Sequence, residues 1–322
     1  MPNSPLKKWT KISIPLLLGG FFLWYFIQGT TPEQRLQIWV NVRNANLFWV
    51  GVSLSLGLLS HLVRANRWKL LLATLNDKPK LSNCFYAVMY GYLANLGVPR
   101  SGEVLRGASY ASSSRLNFQQ SFGTIITERV IDFIMLISIV GLALLLETDQ
   151  LLYYFDVNNI NPFFTLLIVI PLIVLVFIGI KLLKNSKHTF VLKIRGFLIG
   201  LYDGIKSVFM LKQRWSFLFQ TFCIWALYFV MFWVIKFSVS GTEDLSLGAI
   251  LIGFIAGAFS MSITSGGIIV YPLAIATVFK LYGVPGDVGQ AFGWVIWTSQ
   301  TLLVIVVGTV SAILLSILNK KS

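Results

Sequence analysis

Apolar residues fall in six blocks near the length that crosses a bilayer: 12–28, 47–66, 119–146, 162–183, 215–239 and 288–318. About 20 such residues make a spanning helix, so the pattern predicts six. Two further segments, 81–118 and 245–283, are apolar but interrupted by Gly, Pro and Ser, at "GVPRSGE" in the first and "SMSITSGGIIVYP" in the second. Each is expected to be a broken helical hairpin.

Lys and Arg are retained on the cytoplasmic side of short loops. Segment 64–80 holds Arg64, Arg67, Lys69, Lys78 and Lys80, and the basic loop 181–214 holds Lys181, Lys184, Lys187, Lys193, Arg195, Lys206, Lys212 and Arg214. Both are assigned inside. Segment 147–161 carries Glu147, Asp149 and Asp156, and the 240–247 link carries Glu243 and Asp244; both are assigned outside. The chain is then inside at 80 and again near 118, and outside at 243 and again near 287. Each interrupted segment enters and leaves on one face, the two from opposite faces, and Pro99 and the glycines near the midpoints favour re-entry over full crossing. The order of helix, hairpin, helix recurs in 47–146 and 215–318. The expected fold is therefore an all-α polytopic membrane protein: about six spanning helices plus two opposed re-entrant hairpins in an inverted repeat, in a single membrane domain over 1–322. Both termini are cytoplasmic, the first helix being retained after Lys7, Lys8 and Lys11, because no small-residue cleavage site follows it.

Composition agrees. The chain has 56% hydrophobic and 12% charged residues and a mean hydropathy of +0.76, against about 25% charged in a soluble domain. Most of the net charge of +14 lies in the cytoplasmic segments, where it is drawn to anionic lipid, and no nucleic-acid partner is expected. Cys84 and Cys223 sit in apolar stretches and read as buried thiols, with no disulfide framework or metal site. His61 reads as an interfacial histidine near the end of the second helix. Trp68, Trp215, Trp294 and Trp297 read as interfacial or core residues.

Irregular backbone at membrane depth must be satisfied by protein or by a water-filled cavity, so each hairpin tip is expected to line one. Beside the first tip lie Arg100, Glu103 and Arg106, followed in "TERVIDF" by Glu128, Arg129 and Asp132. Asp132 stands about 21 Å from Leu146 along a helix, so it is placed inside a hydrocarbon core of about 30 Å. These three bases and three acids have two readings: an ion-pair lattice, or arginines that present donors to a phosphate while carboxylates orient them. Ionisable groups at this depth mark functional sites. Ser265, Gly266, Gly267 and Tyr271 are the corresponding lining residues of the second hairpin. No phosphate loop, metal spacing or nucleophile motif is present, with only His61 and His188 as histidines, so neither catalysis nor a cofactor is expected.

At "NLGVPRSGEVLRG" (95–107), with "RANRWKLLL" (64–72) before it and "ERVIDF" (128–133) after it, the chain resembles the flippase-like membrane family that includes the membrane region of lysylphosphatidylglycerol synthases. The resemblance implies a multi-pass protein of a bacterial or archaeal plasma membrane that moves an anionic phospholipid or a polyprenyl-linked lipid between leaflets. It does not imply lysyl transfer, because synthase members append a soluble aminoacyl-transfer domain and none follows within these residues. The sequence also departs from many relatives at the second tip, where "SGGIIVYPLA" has Ile269 and Pro272 in place of a glycine and an acid. Two other readings are a membrane subunit that anchors lipid or polysaccharide biosynthetic enzymes through the loop 181–214, and a membrane-embedded lipid-modifying enzyme.

Overall fold

A computed structural model describes residues 28–75, 77–97, 101–149, 208–263 and 266–319. The expected spans 12–28 and 162–183 and the basic loop 181–214 lie outside the described residues except at their edges, as do Arg100 and Ser265. The regular structure among the described residues is all helical, without strands: α1 Pro32–Arg43, α2 Leu47–Ala73, α3 Leu81–Gly97, α4 Gly102–Ala111, α5 Phe118–Leu146, α6 Arg214–Trp233 with a 3₁₀ turn Val234–Phe237, α7 Leu247–Ile263, α8 Val270–Lys280 and α9 Gly286–Asn319. Among them, four are long and apolar enough to cross a membrane: Leu47–Ala73, Phe118–Leu146, Arg214–Phe237 and Gly286–Leu318. These coincide with four of the six expected blocks.

The chain forms two compact units, 1–125 with 213–322, and 126–212. Helix α5 begins in the first and carries the chain into the second. Local signals start the helices. Thr31 and Gln34 form a capping box around Pro32 at the head of α1, and the Asn46 side chain accepts the Phe48 N–H at 3.0 Å to start α2, satisfying donors that a helix start leaves open.

In the first unit α2 packs against α6 and α3, and α9 against α8, α3 and α1. The α2–α6 pair is antiparallel: Ser53 Oγ donates to the Met231 carbonyl at 2.9 Å, and at the other end Arg67 Nη1 donates to Thr221 Oγ1 at 3.0 Å. Small residues permit close helix contact elsewhere. A Cβ on Gly293 would stand 2.5 Å from Pro272 Cα, and one on Gly289 2.9 Å from Ala276 Cα, so α8 and α9 nearly touch backbones, the usual device of helices packing in lipid. One apolar core joins Phe232, Phe254, Phe279 and Phe292 of α6 to α9. A second gathers Trp68, Leu72, Cys84, Val88, Tyr110 and Ile125. Cys84 is buried as expected, whereas Cys223 is half-buried.

One boundary needs correction. The expected helix ends at 66 and leaves the rest of the inside segment 64–80 as a link, but α2 continues through Ala73, and Arg64 and Arg67 are 3% and 0% exposed. The apolar run thins out at these arginines in sequence; in the fold the two guanidinium groups meet polar side chains of α6 and the helix goes on. The topological argument for this segment then rests on Lys69, Lys78 and Lys80.

Candidate functional site

Each interrupted segment folds as a long and a short helix. In the first, α3 has 17 residues and α4 has 10; in the second, α7 has 17 and α8 has 11. At 1.5 Å per residue the short arms reach about 15 Å, half a hydrocarbon core.

Side chains close the first hairpin. Asn95 Oδ1 accepts the Gly102 N–H at 2.7 Å, and Ser101 Oγ donates to the Ala94 carbonyl at 3.1 Å, so α3 supplies a cap for α4. Gly91 and Gly102 bring the two arms together: a Cβ on Gly91 would lie 2.8 Å from the Gly102 carbonyl oxygen. An open groove of about 540 Å³ runs along this hairpin, lined by Tyr90, Leu93, Ala94, Gly97, Val104 and Leu105 with Ser101 at its polar end.

The second tip is a tight turn with Gly266, Gly267 and Ile269 at φ +72°, +73° and +66°. Glycine takes this conformation without penalty; for a β-branched residue such as Ile269 it is an outlier. Trp297 Nε1 of α9 donates to the Gly266 carbonyl at 2.6 Å. Tyr271 packs under the turn, where a Cβ on Gly257 would meet its ring at 2.7 Å.

The tips meet. A Cβ on Gly266 would lie 3.8 Å from Leu96 Cδ2. The first hairpin reaches this point along the C-terminal half of α9, where a Cβ on Gly308 would stand 2.8 Å from Leu93 Cβ. The second reaches it from the N-terminal end, since α8 runs back from Pro272 beside Gly293 to Ala276 beside Gly289.

Of the expected charged residues, Arg106 is buried, its guanidinium carbon 3.9 Å from the centre of the Trp68 ring. Glu103 is half-buried on the same helix. Glu128, Arg129 and Asp132 belong to the second unit; Glu128 and Asp132 are buried, and Arg129 Nη1 approaches Asp132 Oδ2 at 3.9 Å across one helical turn. Among the described residues no group of three His, Cys, Asp or Glu is placed to hold a metal ion.

A polar cluster that sequence reasoning missed lies between α2, α3 and α6. Arg64 Nε donates to Tyr228 Oη at 3.2 Å, Tyr92 and Tyr228 hydroxyls are 3.5 Å apart, and the His61 ring lies 4.9 Å from that of Tyr92. His61, read as interfacial, is instead enclosed at 9% exposure. Beyond it Asn66 Nδ2 donates to Gln220 Oε1 at 2.9 Å. His61, Arg64 and Trp68 recur at i, i+3 and i+7, which places them on one helix face; that spacing was the available signal. Trp68 is fully buried, donates through Nε1 to Thr124 Oγ1 at 2.8 Å, and meets Tyr110 edge-on at 5.0 Å. Tyr110 in turn donates to Asp77 Oδ2 at 2.6 Å.

The family described as the lysylphosphatidylglycerol synthase TM region matches residues 12–308. The chain belongs to this family. No curated protein and no solved structure gives a significant match. For the lysylphosphatidylglycerol synthase TM-region family, both interrupted hairpins, the Arg106–Trp68 stack and the His61 cluster fall inside the matched residues. Membership makes the chain a multi-pass membrane protein linked to lipid handling.

Proposed function

We propose that this protein moves an anionic phospholipid, or a lipid linked to a polyprenyl chain, from one leaflet to the other by alternating access. It acts as a carrier and not as an enzyme. The observation that supports this reading is the approach of the two hairpin tips, Leu96 to the turn at Gly266, from opposite ends of α9. Broken helices that enter from opposite faces and meet near the midplane are a recurring transporter design, in which one half rocks against the other about a fixed site. The short arms α4 and α8 reach only about half a hydrocarbon core, as re-entrant elements would. On this reading the halves 47–146 and 215–318 form an inverted repeat with both termini in the cytoplasm of a bacterial or archaeal cell. Arg106 and Glu103 of α4 serve the headgroup while acyl chains stay in lipid along the groove between α3 and α4.

The test is leaflet exchange of labelled phospholipids and polyprenyl phosphates in vesicles that contain the purified protein, with Glu103→Gln and Arg106→Ala beside wild type. Exchange above that of protein-free vesicles, reduced at least severalfold in both variants, is expected. Exchange by correctly inserted wild type no faster than in empty vesicles, for every lipid tried, overturns the proposal.

A further inference from the structure

We infer that the cluster of His61, Arg64, Tyr92, Trp225 and Tyr228 is a binding site for a phosphate group. The inference rests on the carrier reading only for the source of that phosphate, which is a lipid headgroup.

Two nitrogens carry the argument. His61 Nδ1 and Trp225 Nε1 are both buried and have no hydrogen-bond partner. They flank the same residue: the Tyr228 ring lies 6.3 Å from that of His61 and 6.3 Å from that of Trp225. Buried polar atoms almost always find partners, and two exceptions on rings that both contact the Tyr228 ring point to a ligand. The chemistry of the set selects it. An indole N–H only donates, a neutral imidazole can carry its proton on Nδ1, and a guanidinium and two phenols add further N–H and O–H groups. Such a donor-rich set suits a ligand rich in acceptor oxygens, and Arg64 supplies positive charge beside it.

The position fits a membrane lipid. His61 lies about 21 Å along α2 from Leu47 and Tyr228 about 21 Å along α6 from Arg214 at 1.5 Å per residue, so two antiparallel helices bring them together well inside the bilayer. Tyr92, Trp225 and Tyr228 keep part of their surface exposed, so the cluster is not sealed.

The experiment uses full-length protein in detergent, titrated with dioleoylphosphatidylglycerol or with dioleoylglycerol, which has the same acyl chains and no phosphate. Bound lipid is counted by native mass spectrometry. Wild type is expected to bind the phospholipid at least tenfold more tightly than the diacylglycerol. Tyr228→Phe removes one oxygen and keeps the ring against Trp225; it and His61→Leu are expected to weaken phospholipid binding at least fivefold, with diacylglycerol binding unchanged. His61→Gln, which restores polar atoms, recovers part of the loss. Leu302→Ala on the exposed face of α9 binds as wild type does. Competition by inorganic phosphate supports a site for the phosphate group itself, and its failure to compete supports one filled only from a lipid. Wild-type affinity in folded Tyr228→Phe and His61→Leu overturns the inference, as does equal binding of the two lipids. Should vesicles show no leaflet exchange while these binding differences hold, the carrier reading fails and the site stands.

Discussion

Leu96, at the end of α3, packs against the glycine turn at Gly266, so that a Cβ built there would sit 3.8 Å from its Cδ2. This contact joins two hairpins that reach it from opposite ends of α9, and the proposed carrier mechanism requires that it break or slide. A short bismaleimide across Leu96→Cys and Gly266→Cys, with Cys84 and Cys223 replaced by alanine, is expected to cross-link readily and to stop lipid exchange. Each single cysteine variant treated alike should keep the exchange it shows untreated, which for Gly266→Cys is lower than wild type because φ +72° strains any L side chain there. Full transport in the cross-linked protein would show that the tips do not move apart.

The first hairpin depends on the absence of side chains at Gly91 and Gly102. A Cβ on Gly102 would run into the Gly91 carbonyl oxygen and come 2.6 Å from Asn95 Cγ. Asn95 cannot withdraw without giving up the cap at Gly102 N. Overpacking of a tight core costs about 1–3 kcal/mol, and Gly102→Ala is placed at the upper end because backbone is the obstacle. Thermal unfolding in detergent should show it, with Gly97→Ala as the comparison, since a Cβ there meets nothing within 4 Å.

The hairpins were legible because Gly, Pro and Ser interrupt apolar runs that are otherwise long enough to span, and the four described spans followed from hydrophobic length alone. The site was legible only in part. Arg106 and Glu103 stand out as charges in an apolar segment, but the expected block 47–66 leaves Arg64 at its edge and Arg67 outside it, because a length rule ends a span after about 20 residues while a helix stops only where its backbone loses partners. Nor does sequence tell which carbonyl an indole N–H will reach. Trp297 looked like an interfacial or core residue, and its hydrogen bond to Gly266 depends on a turn 31 positions away.

Arg106 rests on the face of Trp68 at 3.9 Å, and a desolvated contact of this kind is worth about 2 kcal/mol. Trp68→Phe keeps a weaker ring beneath the guanidinium and loses the hydrogen bond to Thr124, for a cost of about 1–2 kcal/mol. Trp68→Leu removes the π face as well as volume from a fully buried position and should cost about 3–4 kcal/mol. The ranking of the two, read from unfolding midpoints, separates the ring–cation contact from packing alone; equal losses would count against the contact.

Three helices are tied at one polar joint. Gln300 Nε2 of α9 donates to Ser53 Oγ at 3.2 Å and to the Ser53 carbonyl at 3.3 Å, while Ser53 Oγ donates to the Met231 carbonyl of α6. Gly57, one turn along α2, makes room for the amide: a Cβ there would lie 2.5 Å from Gln300 Oε1. Hydrogen bonds between helices in lipid are worth about 0.6–1.7 kcal/mol, so Ser53→Ala and Gln300→Leu should each destabilise by about 1 kcal/mol. The double variant should lose less than the sum, by about 0.6 kcal/mol, because both substitutions remove the same bond. Additive losses in unfolding would mean that Gln300 is held by other partners. Because the joint connects the helix that runs beside both hairpins to the α2–α6 pair, Gln300→Leu is also expected to loosen that connection. Hydrogen exchange that rises in the middle of α9 and not in α1 would show it.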